Sequence, residues 1–284
     1  DLIRADIDNV EHHLAHLGSA FLVSPFRDAA VVSVDGFGDF ASTMWGEGHE
    51  NKINVRARTY FPHSLGLFYL AITQYLGFPN YGDEYKVMGL APYGKKTEVD
   101  KMRKVVRLLS QGRFELNLEY FIHHSEGVSM VWDDGEPVIG KVYSSALEEL
   151  FGPARRQEDP LDQSHWNIAA SAQTMYEEAL FHILNHVQNK TGLKALSMAG
   201  GCAMNSVANG KILKNTDFTD VYIQSAGGDA GGAIGAAFVV WNQNLGNPRG
   251  FAMEHAYWGP EFSGDDISVL LQQRGGELEA EGCV

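Results

Sequence analysis

The run Glu11-His12-His13-Leu14-Ala15-His16 crowds three imidazoles into five residues. On a helix, His12 and His16 are four apart and share a face. Two imidazoles so placed can grip one divalent metal ion. His13 is turned away from them by about 100°. A metalloprotease would carry H-E-x-x-H, with the Glu as general base. His13 stands where that Glu would be, which weakens a protease reading. The bland reading of the run is a solvated histidine-rich turn. Two carboxylates tilt the balance toward metal. Asp35 ends the apolar run Ala29–Val34, and Asp229 sits in Gly227-Gly228-Asp229-Ala230-Gly231-Gly232. A carboxylate in an apolar setting is costly unless it is paired or metal-bound. Two histidines with one or two aspartates suit Fe(II), Mn(II) or Zn(II). Asp229 is equally expected to cap the helix that follows it, a role compatible with ligation.

Two glycine-rich loops carry the next argument: Ala199–Asn205, with Gly200 and Gly201, and Ser225–Gly235, with Gly227 and Gly228. Each joins an expected strand to an expected helix. Glycine lets a backbone approach a ligand closely, and a helix N-terminus offers free N–H groups to phosphate. Neither loop is a G-x-G-x-x-G in the right frame. Asn205 could hydrogen-bond a ribose or a base, and tight helix–sheet packing would use the same glycines. Gly89–Lys96 resembles a Walker A loop but has Lys96 where a Ser or Thr should bind Mg²⁺, and Pro92 removes a backbone donor. Lys86, in Gly82–Gly89, could neutralise a phosphate or carboxylate ligand, or simply pair with Asp83 or Glu84. Cys202 has no histidine neighbour in sequence and reads as a small buried packing residue.

The elements that must position these groups can be read from periodicity. Residues 11–22 form a short helix. Residues 29–35 are a buried strand, followed by strands at 41–45 and 51–61, the last with a register break, as a β-meander around D-G-x-G-D. A helix covers 64–75, and a basic amphipathic helix covers 97–110. Residues 111–163 give no clear pattern. Asp162 or Ser164 caps a long helix to about residue 190. Strands at 196–199 and 221–224 each lead through a glycine loop into a helix, near 203–214 and 230–243. That alternation indicates an α/β protein with a parallel or mixed sheet and a site at strand C-termini.

The 284 residues, with 44% hydrophobic and 20% charged, are ordinary for a globular protein. The net charge of −14 argues against nucleic acid as a partner. Two cysteines far apart point to a reducing, cytoplasmic setting. No apolar run approaches the roughly 20 residues that span a bilayer.

Together, V-E-H-H-L-A-H, S-V-D-G-F-G-D, G-D-E-Y-K-V-M-G-L-A-P-Y-G, A-G-G-C-A-M-N-S-V-A-N-G-K and G-G-D-A-G-G-A-I-G-A-A resemble the O-carbamoyltransferases of nodulation-factor and antibiotic biosynthesis. More distant kin are the hydrogenase-maturation carbamoyltransferase and the tRNA threonylcarbamoyl-transfer enzyme. The resemblance runs from about residue 10 to 262. It implies an actin/Hsp70-like (ribonuclease H-like) nucleotide-binding fold, present as a partial copy. It also implies transfer of a carbamoyl group from carbamoyladenylate, made from carbamoyl phosphate and ATP, to a hydroxyl of a small-molecule acceptor. By motif, His12, His16, Asp35 and Asp229 would hold the metal, with Fe²⁺ expected. Gly200, Gly201, Asn205, Gly227 and Gly228 would lie along the nucleotide, and Lys86 at the acyl-phosphate end. His13 or Asp39 would be the general base. Family members also carry an upstream G-I-N-x-x-H-D-type hairpin and a carbamoyl-activating domain after a G-P-E-F-like segment. The resemblance thus divides the chain into a core, 1–262, and the start of a connection, 263–284, with both further pieces as partners in the same polypeptide. The competing readings are a phosphotransferase of the same superfamily, which would not need paired histidines, and a nucleotide-binding module without activity.

Overall fold

The computed structural model describes residues 6–133 and 135–280. The chain opens with α1 (His12–Phe21), capped by the Glu11 carboxylate, which accepts from Leu14 N–H at 2.7 Å. Three antiparallel strands follow: β1 (Asp28–Gly38), β2 (Ala41–His49) and β3 (Lys52–Tyr60). The β2–β3 register slips twice, once where Trp45 and Gly46 pair, so the expected break lies inside this ladder. Ser64 caps α2 (Leu65–Tyr75), after which come α3 (Glu84–Leu90) and α4 (Val99–Val105).

Here the expected helix over 97–110 is cut short. Val106–Leu108 leaves α4 as strand β4 and pairs with β5 (Phe114–Leu116). Adjacent β-branched Val105 and Val106 suit a strand, and Gln111 and Gly112, both with positive φ, turn the hairpin. The stretch without a clear pattern continues as α5 (His123–Glu126), the β6–β7 hairpin (Met130–Asp133 and Glu136–Ile139) and α6 (Ser145–Phe151).

Helix α7 (Gln163–Thr191) starts at an Asp162 capping box and stops at Gly192 in the left-handed conformation. Strand β8 (Ala195–Ala199) follows. The helix expected near 203–214 is instead a 3-10 turn at Gly201–Met204 and two short helices, α8 (Ser206–Asn209) and α9 (Ile212–Asn215). Asn205 restarts the helix by accepting from Ala208 N–H, and Gly210 ends it. Strand β9 (Asp220–Ile223) leads into α10 (Ala230–Phe238), which runs on as a π-helical turn, Val239–Asn244. A compact unit ends at Met253, and a second begins at Glu254 and contains α11 (Gly264–Ala280).

The main sheet has the order β3-β2-β1-β8-β9, antiparallel on one side of β1 and parallel on the other. It is therefore a mixed sheet in a mixed α/β fold. Strand β1 reads as an unbroken apolar run because both of its faces are covered. Ala30, Val32 and Val34 pack with α2 and α7 in one cluster, while Ala29 and Val31 pack with Leu17 and Phe21 of α1 in another. By the same alternation, Ser33 and Asp35 face α1. Among the described residues, no helix is long and apolar enough to cross a membrane.

Candidate functional site

Helix α1 lies against α10 with almost no side chain between them. A Cβ on Gly235 would meet the Ala15 carbonyl oxygen at 1.7 Å, and one on Gly18 would meet Val239 at 2.7 Å. This close approach sets Asp229, at the start of α10, beside His12 and His16. The strand parity of β1 brings Asp35 to the same point.

The result is a cluster of His12, His16, Asp35 and Asp229, with one ligand atom of each within 4.8 Å of all the others. The two Nε2 atoms are 3.0 Å apart. Asp35 Oδ2 lies 3.1 Å from His12 Nε2 and 3.2 Å from His16 Nε2. Asp229 Oδ1 is 3.6 Å from both. Donors about 2.1 Å from one ion, at angles between octahedral and tetrahedral, are separated by about 3.0–3.4 Å. The His12, His16 and Asp35 separations fall in that range and fit one divalent ion, while Asp229, 3.6 Å from both histidines, lies just outside it. Burial pushes Asp35 upward, but the bonds to His12 and His16 and the Gly201 N–H outweigh it and hold the carboxyl well below its usual range. The bond to Asp35 likewise raises His12 above an ordinary imidazole, against the opposing effect of burial.

Sequence reading anticipated a buried Asp229; its side chain is 70% exposed. It makes no capping hydrogen bond to α10, which leaves the carboxylate free to face the histidines.

His13 is fully buried, and both ring nitrogens are engaged. The Ser33 hydroxyl donates to Nδ1 at 2.6 Å, and Nε2–H donates to the Ala41 carbonyl at 2.9 Å. Burial lowers its pKa, which matches this neutral tautomer. As placed, neither nitrogen is open to a reacting hydroxyl; the residue fastens α1 to β1 and β2. Asp39, the other candidate base, is exposed and lines a cavity of about 430 Å³ together with His12, His16 and Asp229. Its Oδ2 accepts the His12 backbone N–H at 3.0 Å.

The glycine loops are also built around the cluster. Gly201 N–H donates to Asp35 Oδ1 at 2.9 Å, and Gly200 N–H donates to the Gly227 carbonyl at 2.7 Å. The first loop thus orients a candidate metal ligand and ties itself to the second loop. Gly228 stands beside Met204. The Asn205 amide faces α7, exchanging hydrogen bonds with Gln173 at 2.9 and 3.0 Å. Lys86 pairs with the buried Asp83 at 2.7 Å, one of the two partners considered from sequence. No contact among the described residues ties it to the histidine–aspartate cluster. Burial pushes the Cys202 thiol well up, which suits a packing residue.

Three supporting residues escaped the sequence reading. Gly38 leaves room for the His12 ring, since a Cβ there would meet His12 Cδ2 at 2.0 Å. Ser64 donates to the Asp35 and Gly36 carbonyls at 3.1 and 2.8 Å and so holds the D-G-F-G turn. Gly235 sets the α1–α10 distance. The second glycine of D-G-x-G was the one available signal for Gly38; the other two depend on partners far away in sequence.

Fold and site together define a mixed α/β protein with a two-histidine, two-carboxylate cluster at the C-terminal end of a central strand. The family model described as carbamoyltransferase N-terminus matches residues 1–238, and the chain belongs to that family. Nodulation protein NolNO of Sinorhizobium fredii is 36% identical over 279 residues, covering 98% of this chain and 38% of that protein. Nodulation protein NolO of Bradyrhizobium diazoefficiens is 34% identical, covering 96% and 46%. An uncharacterized Synechocystis protein, sll1178, is 42% identical, covering 92% and 42%. The chain spans less than half the length of these curated relatives. Among solved structures, HypF of T. kodakarensis aligns with a TM-score of 0.41 and 16% identity, over 83% of this chain and 36% of that one.

Proposed function

We propose that this chain carries the transfer site of an O-carbamoyltransferase, built on an actin-like nucleotide-binding core. The carbamoyl group would come from carbamoyladenylate, made from carbamoyl phosphate and ATP, and pass to a hydroxyl of a sugar or natural-product acceptor. The observation that carries this reading is the His12–His16–Asp35–Asp229 cluster, which opens into a cavity that the Asp39 carboxylate also lines. Family membership supplies the carbamoyl chemistry.

In this reading His12, His16, Asp35 and Asp229 hold a divalent ion, with Fe²⁺ proposed. When bound, such an ion supplies Lewis acidity for the carbonyl and lowers the pKa of an alcohol. Gly201 N–H keeps one oxygen of Asp35 turned away from the histidines, so that the other faces them. Asp39 spends Oδ2 on the start of α1 and keeps Oδ1 for the acceptor. The acceptor oxygen bonds to the carbamoyl carbon, the bond from that carbon to the AMP phosphate oxygen breaks, and the acceptor proton passes to Asp39. Asp39 is the better base candidate because His13 has no open nitrogen.

The test is incubation with presynthesised carbamoyladenylate and a panel of polyols, followed by mass spectrometry of the acceptors. Carbamoylated acceptor from the wild type, formed at least about tenfold more slowly by Asp39→Asn, is expected for loss of general base catalysis. Phosphorylated acceptor from ATP, with no carbamoyl product, would favour a phosphotransferase instead.

A further inference from the structure

Met204 closes the 3-10 turn that follows β8, and 61% of it is exposed. Of the eight methionines, only Met130 is comparably open, at 52%. Met88 is partly buried, and the other five are buried. The covered part of Met204 lies on the second glycine loop. A Cβ on Gly227 would meet Met204 Cγ at 3.5 Å, and one on Gly228 would meet Met204 Sδ at 3.5 Å. The thioether therefore rests on the two residues that precede Asp229.

That loop has little of its own to hold it. Apart from Asp229, the run Gly227-Gly228-Asp229-Ala230-Gly231-Gly232 offers no side chain larger than a methyl group. Glycine also has the most conformational freedom to lose on ordering. The close packing of Gly235 on Ala15 sets the body of α10, and the bond from Gly200 N–H to the Gly227 carbonyl fixes the start of the loop. Between these two anchors, Met204 covers Gly227 and Gly228. An apolar thioether keeps that contact only while its sulfur stays apolar.

Peroxides oxidise exposed thioethers. The sulfur lone pair attacks one oxygen of hydrogen peroxide, and the S–O bond forms as the O–O bond breaks. The second oxygen takes the proton from the first and leaves as water. Sulfur is oxidised to the sulfoxide, and peroxide is reduced to water. The product is polar and chiral where the side chain was flexible and apolar, so water draws it away from the loop. Cys202 is a poor competitor, because the thiolate is the reactive form and burial pushes its thiol well up.

We propose that Met204 is an oxidation site, and that its sulfoxide frees the Gly227–Gly228 segment and loosens Asp229 from the histidines. The oxidant is a peroxide, and methionine sulfoxide reductases reverse the change. Weakened metal binding rests on the reading of the four residues as a metal site; loosening of the loop does not.

The test oxidises metal-free protein with hydrogen peroxide, then desalts it and treats it with dithiothreitol, which restores oxidised thiols but not sulfoxides. Peptide mass spectrometry should find the added oxygen first at Met204 and Met130. Hydrogen exchange of the metal-free protein should then quicken across Ser225–Gly232 in the wild type and in Met130→Leu, but not in Met204→Leu. Leucine keeps the apolar contact and has no sulfur to oxidise. On reloading, Fe²⁺ affinity should be about tenfold weaker in the first two proteins, as for a ligand whose support is lost, and unchanged in Met204→Leu. Incubation with both sulfoxide reductases, one for each epimer, should restore it. Met204 left intact while Met130 reacts would overturn the proposal. So would exchange that stays unchanged once Met204 is oxidised, or that quickens equally in Met204→Leu, whether or not the protein binds metal. Quickened exchange with full Fe²⁺ affinity would overturn the link to Asp229. A wild type that binds no metal before oxidation would refute the metal reading, and the exchange result alone would then decide the proposal.

Discussion

Replacing Gly201 by alanine would separate a loop that serves phosphate from a loop that serves the candidate metal ligands. A Cβ at Gly201 would lie 2.8 Å from Asp35 Oδ1, against an ordinary contact of 3.4 Å or more, so the carboxylate must retreat by about 0.6 Å. Metal–ligand distances tolerate only about 0.2 Å. The same retreat stretches the Gly201 N–H bond to Asp35, now 2.9 Å. A hydrogen bond to a charged group is worth about 1.5–3 kcal/mol, or about 10- to 150-fold in an equilibrium constant. Loss of a partner that orients a ligand typically weakens metal affinity about 10- to 100-fold. Gly201→Ala should therefore weaken Fe²⁺ affinity by that range, measured by competition against a chelating dye under anaerobic conditions. Gly228→Ala is the control, because its Cβ would meet only Met204 Sδ at an ordinary 3.5 Å. Unchanged affinity in Gly201→Ala, or equal loss in both variants, would refute the coupling between the loop and Asp35.

Three further outcomes follow from the same geometry. His13→Ala should leave the metal donors in place but cost about 2–4 kcal/mol of stability in urea unfolding, because it strands the buried Ser33 hydroxyl and Ala41 carbonyl. Metal affinity should fall as pH is lowered, beginning above pH 6.5. The metal needs neutral His12, and the bond to Asp35 raises the pKa at which His12 takes a proton; affinity flat between pH 8 and 6 would contradict this. Gly235→Ala should force α10 away from α1, since its Cβ would meet the Ala15 carbonyl at 1.7 Å. Both thermal stability and bound metal should drop, and a variant that keeps its metal would show that Asp229 is positioned by something else.

The parts of the site that were legible in the sequence are those with a local rule. His12 and His16 are an i, i+4 pair, and Asp35 ends an apolar run; both patterns follow from backbone geometry alone. The same geometry turned His13 away from the pair without revealing that it points into the sheet, at Ser33 and Ala41. Asp229 looked buried because glycines and alanines surround it, but small residues say little about solvent access. The role of Gly201 was invisible, since a backbone N–H leaves no mark on the residue type. Asn205 could be marked as polar and next to a glycine loop, but its partner Gln173 lies 32 residues away on α7. In the fold, the β-meander and α7 stand out through period and caps. Val105 and Val106 suit either helix or strand by pattern, and only pairing with Phe114–Leu116 decides.

The most direct measurement is a count of metal per chain. Purified protein, stripped with chelator and reloaded anaerobically with Fe²⁺, should hold one equivalent after desalting, measured by elemental analysis. His16→Ala should hold almost none, because it removes a buried donor that faces His12, Asp35 and Asp229 together. No retained metal in the wild type, or the same amount in His16→Ala, would contradict a metal centre built from these four residues.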